Sequence, residues 1–363
     1  MKTKGIIIAL IFVLYLLTSI SFAGTVYYAD SDRPDDSGDG LSWATAKKTL
    51  DAFDAILARG DTVVCRGTFG VWTPQSSYAG GSGTYTIFID EYRYNSGVHL
   101  ANPDTVWSAT ITGTVTYGSS DRGMKLIGFV WNAASRLIIG TGCGDNWFLQ
   151  CKFLIGQEYA VYLSDSADSL YFVSCLFIHN SSKYPTVLAQ YNKFLNIWNC
   201  TFYGNPVTTN EVWFLDFHFE NSVNYKNNVI NTMFINTDAS AGTDERFVWG
   251  QSGISDWDNN IYYIPKLGGT PNGCWKLINT LYNTLAAWRT ALQVYDPDGE
   301  TNSLYVDPEI QSASTSCYIL NDSPAFGTGR DLGYGTNIGY YQGQFLPILP
   351  LIQSNRKPLI MIW

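Results

Sequence analysis

A short pattern that recurs about every 22 to 32 residues constrains this 363-residue chain more than any other feature. Each copy combines apolar and aromatic residues with one polar residue, and the copies span 148–153, 172–177, 197–202, 225–230 and 257–262, with an earlier one at 127–131. β-Branched and aromatic residues favour short strands. A repeat of this length predicts stacked coils, because one coil alone cannot bury its apolar face.

The polar residue of each copy is expected at a corner between two strands, and the residue after it is expected to point inward. The corner residues are then Gln150, Ser174, Asn199, Asn227 and Asn259, followed by Cys151, Cys175, Cys200, Asn228 and Asn260. Asn tolerates left-handed backbone, which suits a tight corner. We expect Asn side chains at the same corner to hydrogen-bond between coils.

Other repeat architectures fit less well. Leucine-rich repeats need regularly spaced Leu and a helical segment, and propeller blades need about 40 residues or more. A parallel β-helix, with about three short strands per coil and coils about 4.8 Å apart, fits best. The all-β fold class predicted here is therefore a single parallel β-helix, a solenoid.

The chain has seven cysteines, and no two of them form a CxxC pair. If the chain is exported, an odd number leaves at least one thiol free or paired between molecules. In-register neighbours place Cβ atoms about 4.8 Å apart, beyond the usual disulfide range. We therefore predict that Cys151, Cys175 and Cys200 form a buried ladder of thiols that act as small hydrophobes. A disulfide and a metal site are the alternatives.

The first 23 residues have the features of a secretory signal peptide. Lys2 and Lys4 precede an apolar run at 5–17, and Ser21-Phe22-Ala23 offers small residues for cleavage. An uncleaved anchor is the alternative. We expect a secreted protein, extracellular or periplasmic.

The composition excludes two further classes of protein. Aromatic residues reach 15%, which excludes a disordered chain. The net charge of −9 argues against nucleic acid as a partner.

Both ends of the chain resemble secreted right-handed parallel β-helix proteins of the pectate-lyase-like superfamily. The opening carries this resemblance at 26–32, 35–50 and 58–69, and the closing coils carry it at 283–288, 302–308, 318–325 and 337–341. The resemblance implies one β-helix over 24–343, with a short cap helix at Thr49–Leu57 and a C-terminal helical insertion. The apolar tail at 344–363 is expected to cover the open end of the helix, or to bind a partner.

This superfamily contains polysaccharide lyases, glycoside hydrolases, esterases, adhesins and phage tail proteins, so the fold alone does not give a function. The motifs of the polygalacturonase-like hydrolases and of the pectate lyases are absent from the sequence. We expect a carbohydrate-active protein that binds or cleaves a polysaccharide or a cell-surface glycan, as a lyase or a glycoside hydrolase. The alternative is a non-catalytic surface, adhesion or phage-tail-like protein.

The segment 216–220 alternates strictly between polar and aromatic residues. On a strand, Asp216, His218 and Glu220 would share one outer face while the phenylalanines fill the core. Counting back through the repeat aligns His218 with Gln190 and with Asp165. A base and carboxylates could serve elimination or hydrolysis. The catalytic candidates are His218, Asp216, Glu220 and Asp165, and the substrate-binding candidates are Gln190, Asn192, Lys193, Tyr191, Lys183 and Tyr184. An ordinary solvated face is the alternative.

An acidic loop near the start places five carboxylates within ten residues, at Asp30, Asp32, Asp35, Asp36 and Asp39. Carboxylate oxygens at this density suit Ca²⁺, although the spacing is not that of an EF-hand. A calcium site is therefore one prediction for the loop. A solvated, turn-rich loop without metal is the other.

Overall fold

The computed structural model describes residues 24–75, 84–96, 107–118, 121–156, 159–163, 169–179, 186–190, 194–204, 213–218, 226–237, 246–250, 254–264, 275–278, 280–311, 318–319, 322–330, 332 and 338–339. The predicted signal peptide and the apolar tail lie outside these residues, as do Cys274 and Cys317. Within the described part of the chain, no helix is long and apolar enough to cross a membrane.

The chain folds as a right-handed parallel β-helix with three sheets running along its axis. Sheet 1 contains β1 (Val26–Asp30), the first half of β2 (Thr62–Phe69), β3 (Thr86–Asp90), β6 (Met124–Ile127), β9 (Asn146–Leu149), β12 (Ser169–Val173), β15 (Phe194–Trp198), β18 (Lys226–Ile230) and β21 (Ile254–Asp258). Each strand pairs in parallel with the strand one coil away, so equivalent residues stack in rows.

Sheets 2 and 3 complete each coil. Sheet 2 contains the second half of β2, β4 (Ala109–Ile111), β7 (Val130–Trp131), β10 (Lys152–Ile155), β13 (Leu176–His179), β16 (Thr201–Gly204), β19 (Met233–Asn236), β22 (Ile261–Tyr263) and β25 (Leu304–Tyr305). Sheet 3 contains β5 (Val115–Tyr117), β8 (Leu137–Ile139), β11 (Val161–Leu163), β14 (Val187–Gln190), β17 (Trp213–His218), β20 (Arg246–Gly250), β23 (Trp275–Leu277) and the antiparallel β24 (Thr280–Tyr282). A separate antiparallel pair joins β26 (Ile310–Gln311) and β27 (Tyr318–Ile319).

The core is filled by side chains that repeat from coil to coil. One inward row is a continuous stack of aromatic rings with neighbouring centroids between 4.5 and 5.2 Å apart, formed by Trp131, Phe153, Phe177, Phe202, Phe234 and Tyr262. Because parallel pairing in register places like residues over like, each ring inside the stack packs against two others.

The corner between sheets 1 and 2 is a single residue in left-handed backbone. Positive φ values between 52° and 77° occur in the stacked corner residues Gly128, Gln150, Ser174, Asn199, Asn231 and Asn259. Four of the predicted corners, Gln150, Ser174, Asn199 and Asn259, are therefore confirmed. The Asn231 amide donates to the Asn199 Oδ1 at 3.5 Å, which is a hydrogen bond between coils of the expected kind.

The prediction for the fourth copy is wrong. Asn227 is not a corner but lies inside β18, where it pairs with Leu195, and Asn228 pairs with Asn196. The corner falls four residues later, at Asn231. Two polar pairs, Asn227-Asn228 and Asn231-Thr232, lie close together in the sequence. Only the pairing of the strands shows that the second pair forms the corner.

The thiols that follow three of the corners are free and buried, as predicted for the ladder. The Cys175 Sγ donates to the Phe148 carbonyl at 3.2 Å, and the Cys200 Sγ donates to the Phe172 carbonyl at 3.4 Å. Burial raises the pKa of the Cys175 thiol well above its ordinary value, and the same holds for Cys151. These thiols therefore pack as small apolar groups.

The ends of the solenoid are closed in different ways. At the start, Leu50, Phe53 and Leu57 are buried, but the predicted cap helix at Thr49–Leu57 is a 3-10 helix, Asp51–Phe53, continued by turns. So short a segment does not sustain an α-helix, and packing of three side chains fixes its shape instead. A second 3-10 helix spans Trp43–Thr45, and α1 spans Glu91–Ser96.

At the other end, the predicted helical insertion is present as α2 (Leu285–Leu292). The Thr284 hydroxyl caps its start by accepting from the Ala287 amide at 3.1 Å. Trp288 and Leu292 are fully buried against the last coils. This helix therefore closes the C-terminal end of the core.

Candidate functional site

The strand predicted to carry catalytic side chains is β17, in sheet 3. Phe217 is fully buried in the core, and Asp216 is half-buried on the outer face, which is the orientation that the alternation predicts. His218 ends the strand and pairs with Gln190 of β14. For Gln190 and His218, the structure provides only the strand and the register.

The predicted alignment of His218 with Gln190 is correct although the predicted corner at Asn227 is not. The four residues that move the corner to Asn231 lie between β17 and β18, so they leave the pairing of β17 with β14 unchanged. The other proposed site residues, Asp165, Lys183, Tyr184, Tyr191, Asn192, Lys193 and Glu220, fall outside the described residues. Their roles stay predictions.

Asp216 begins a short outward row on sheet 3, which we call the sheet-3 strip. It pairs with Trp249, and Trp249 pairs with Lys276. The Lys276 ammonium lies 3.7 Å from the centre of the Trp249 ring, and the Trp249 indole donates to the Ile278 carbonyl at 3.1 Å. A carboxylate, an indole and an ammonium thus occupy successive coils on one face.

A longer outward row runs along sheet 1, and sequence reasoning missed it. Strand pairing aligns one outer position of six successive coils, occupied by Lys125, Trp147, Tyr171, Asn196, Asn228 and Asp256. We call this the sheet-1 row. At a strand spacing of about 4.8 Å it extends for about 24 Å along the helix axis.

Three aromatic side chains form the centre of this face. The rings of Trp147 and Tyr171 stack at 3.8 Å with 6° between their planes. Trp198, one outward position further along its strand, lies edge-on to both, with centroids 6.4 Å from Trp147 and 5.6 Å from Tyr171. All three side chains are half-buried, so part of each ring is exposed on this face.

A charged group adjoins the aromatic centre. The Lys125 ammonium lies 3.9 Å from the centre of the Tyr85 ring and 5.2 Å from that of Trp147. Asp145 accepts from the Tyr85 hydroxyl at 3.0 Å and from the Trp147 indole at 3.3 Å. Desolvation, with Asp145 adding to it, raises the pKa of Tyr85 to about 12. Desolvation lowers the pKa of Lys125, against the opposing charge of Asp145.

The other half of the row is polar. The Asn228 amide donates to the Asn196 Oδ1 at 2.7 Å, and the Ser255 hydroxyl donates to the Asn228 Oδ1 at 2.6 Å. A shift in register between β18 and β21 leaves Ser255 as an extra residue, which brings its hydroxyl to the amide. The last member, Asp256, forms an ion pair with Arg330 at 2.7 Å.

A signal for the sheet-1 row does exist in the sequence. In every coil its member stands four residues before the residue that follows the corner, as Trp147 stands before Cys151 and Tyr171 before Cys175. The alternation of side chains along a strand predicts that these aromatic side chains point outward. Outward aromatic residues at one repeat position are the pattern to look for.

The carboxylates of the acidic loop act as hydrogen-bond acceptors in its turns. Asp36 accepts from the amides of Lys48 and Thr49 at 2.6 and 2.8 Å, and Asp39 accepts from the Thr45 hydroxyl at 2.6 Å. Among the residues that the structure describes, no group of three or more His, Cys, Asp or Glu side chains could hold a metal ion. Calcium binding by this loop stays a prediction.

Asp30 has a different partner from the rest of the loop. It forms an ion pair with Arg66 at 2.7 Å, and the Arg66 guanidinium also lies over the Trp43 ring. Burial opposes ionisation of Asp30, but the hydrogen bonds from Arg66 and from the Asp32 amide outweigh it and lower its pKa. This ion pair links the end of β1, at Asp30, to Arg66 of β2.

The structure defines the class of this protein as a parallel β-helix that carries two outward rows of side chains, the sheet-3 strip and the sheet-1 row. Among solved structures, a crystal structure of pectate lyase Pel9A is similar over 87% of this chain and 96% of its own, at 11% identity and a TM-score of 0.32. No protein-family model matches the sequence, and no curated protein matches it either.

Proposed function

We propose that this is an exported protein that binds a polysaccharide chain along the sheet-1 row. The observation that carries the proposal is the continuity of the row: aromatic rings are followed by amides at one strand spacing per coil. Sugars combine apolar C–H surfaces with many hydroxyl groups. Half-buried Trp and Tyr side chains supply apolar surface, and amides supply donors and acceptors.

The linear shape of the row also suits a polymer. Its members follow one another from coil to coil along the solenoid, because every pairing that connects them is parallel and nearly in register. A compact ligand would occupy only part of such a line, whereas an extended chain could contact several members at once. We expect affinity to increase with oligosaccharide length until the row is filled.

Binding to a panel of polysaccharides, followed by affinity electrophoresis and calorimetry, tests the proposal. Asn228→Ala and Trp147→Ala should each weaken binding at least about tenfold. Trp249→Ala on sheet 3 is the matched control, since Trp249 is also an outward, half-buried indole. Melting curves of all variants identify losses that come from unfolding. A loss that follows Trp249 instead of Trp147 would move the glycan to sheet 3.

Cleavage is a second candidate function, and the sheet-3 strip supports it. Asp216, Trp249 and Lys276 occupy successive coils, and His218 belongs to the same strand as Asp216. A base beside a carboxylate and an ammonium are groups that elimination or hydrolysis requires. New reducing ends and unsaturated products should then be lost in Asp216→Asn and His218→Ala, while binding to the sheet-1 row is retained.

A further inference from the structure

The C-terminal part of the chain crosses the outside of sheet 2 as a strap, which we define by its described residues 322–330 and 338–339. Ala325 and Ile338 are buried against an apolar patch on the outer face of sheet 2 that includes Met233 and Ile235. The Ile338 amide donates to the Ala325 carbonyl at 2.8 Å, which ties the two parts of the strap together. The strap is thus a packed element.

The strap is attached at one corner of the solenoid. The Asn231 Oδ1 accepts from the Arg330 amide at 2.8 Å, and the Asn231 amide group donates to the Arg330 carbonyl at 2.6 Å. The Gly339 amide donates to the Asn231 carbonyl at 2.5 Å. Since Asn231 also bonds Asn199 of the preceding coil, one corner residue joins the strap to the stack.

This attachment delivers the side chain of Arg330 to the end of the sheet-1 row. Its Nη2 lies 2.7 Å from the Asp256 Oδ2, and the two side chains are 40% and 42% exposed. The Arg330 Nε is buried without an acceptor among the described residues. A guanidinium has five N–H donors in a planar fork, so the ion pair leaves donors available beside the row.

We propose that the strap is part of the glycan site, and that Arg330 completes the sheet-1 row by donating hydrogen bonds to oxygen atoms of the bound chain. This inference rests on the proposed function. Asp256 orients the guanidinium, and Asn231 fixes the backbone from which it projects. A glycan that contacts Arg330 must also stabilise docking of the strap, because linkage between two equilibria is reciprocal.

Two measurements on the full mature chain test this proposal with the best glycan from the panel. Calorimetry compares the parent with Arg330→Ala, with Arg330→Lys and with Arg59→Ala, a control at an exposed arginine near the N-terminal end. Hydrogen exchange of strap peptides is followed with and without glycan. A melting curve for each variant shows whether the strap patch stays packed.

We expect Arg330→Ala to weaken binding at least about tenfold while Arg59→Ala binds like the parent. Arg330→Lys should recover only part of the affinity, because an ammonium lacks the planar fork. Glycan should slow exchange in the strap of the parent and not in that of Arg330→Ala. Parental affinity in Arg330→Ala, or strap exchange that ignores the glycan, overturns the inference and leaves the proposed function standing. Failure of every glycan to bind the parent removes both.

Discussion

Glu300 should make the stability of this protein depend on pH in a window where most carboxylates do not titrate. Its side chain is fully buried beneath α2 and accepts from Tyr262, from the Trp288 indole at 3.3 Å and from the Asn260 amide at 3.5 Å. Desolvation raises the pKa of Glu300 from 4.5 to about 7, although hydrogen bonds from Ser303 and Tyr262 favour the charged form.

Between pH 4.5 and pH 7 the folded protein therefore holds a proton that the unfolded chain has released. The free energy of unfolding is highest below this window, falls as the pH rises through it, and is lowest above it. A pKa difference of about 2.5 corresponds to about 3 kcal/mol. Burial also raises the pKa of Asp121, to about 6, so a variant of Glu300 is needed to isolate its share.

Glu300→Gln removes the titration and keeps a side chain of similar shape. Urea denaturation followed by tryptophan fluorescence, at steps from pH 5 to pH 8, compares it with the parent and with Glu309→Gln, an exposed control. The difference in free energy of unfolding should move by about 2.5 kcal/mol in favour of Glu300→Gln across this range. Curves that stay parallel would refute the reasoning, as would an equal shift in the control.

Phe202→Ala should lower the free energy of unfolding by about 3–5 kcal/mol, since it opens the ring stack on both sides, and urea denaturation would contradict the stack if the loss stayed below about 1 kcal/mol. Asp36→Ala should cost about 2 kcal/mol equally in calcium and in chelator, because the turn loses its acceptor; a calcium-dependent rise in Tm that only the parent shows would support a metal instead. Cys175 should react with a thiol reagent only after unfolding, as peptide mass spectrometry can show.

Local features of this chain could be predicted because they depend on alternation and turn chemistry alone. The inward position of Phe217 follows from a period of two, and the corner at Asn199 follows from the tolerance of Asn for left-handed backbone. The corner at Asn231 could not be predicted in this way. The length of the preceding connection shifts the register, and only pairing of β18 with β15 reveals the shift.

The sheet-1 row was missed for a related reason. The members of the row, such as Trp147, Tyr171 and Asn228, are far apart in the sequence and chemically unlike. They form no local motif, and their alignment is visible only once the coils are stacked. The same applies to Arg330, which reaches the row only because the strap returns across sheet 2. Rows and returning segments belong to the register of the whole solenoid, and a motif search within one segment cannot find them.

The shared left-handed corner has a consequence for how the length of the sheet-1 row could change. Because coils from β6 to β22 turn with the same backbone geometry at the corner between sheets 1 and 2, a coil is a module whose strands pair only with those of its two neighbours. Duplicating the coil that begins with β12 would carry a second Tyr171 outward and a second Phe177 inward. The sheet-1 row would lengthen by about 4.8 Å, so the number of coils would set the length of polymer that the proposed site can contact.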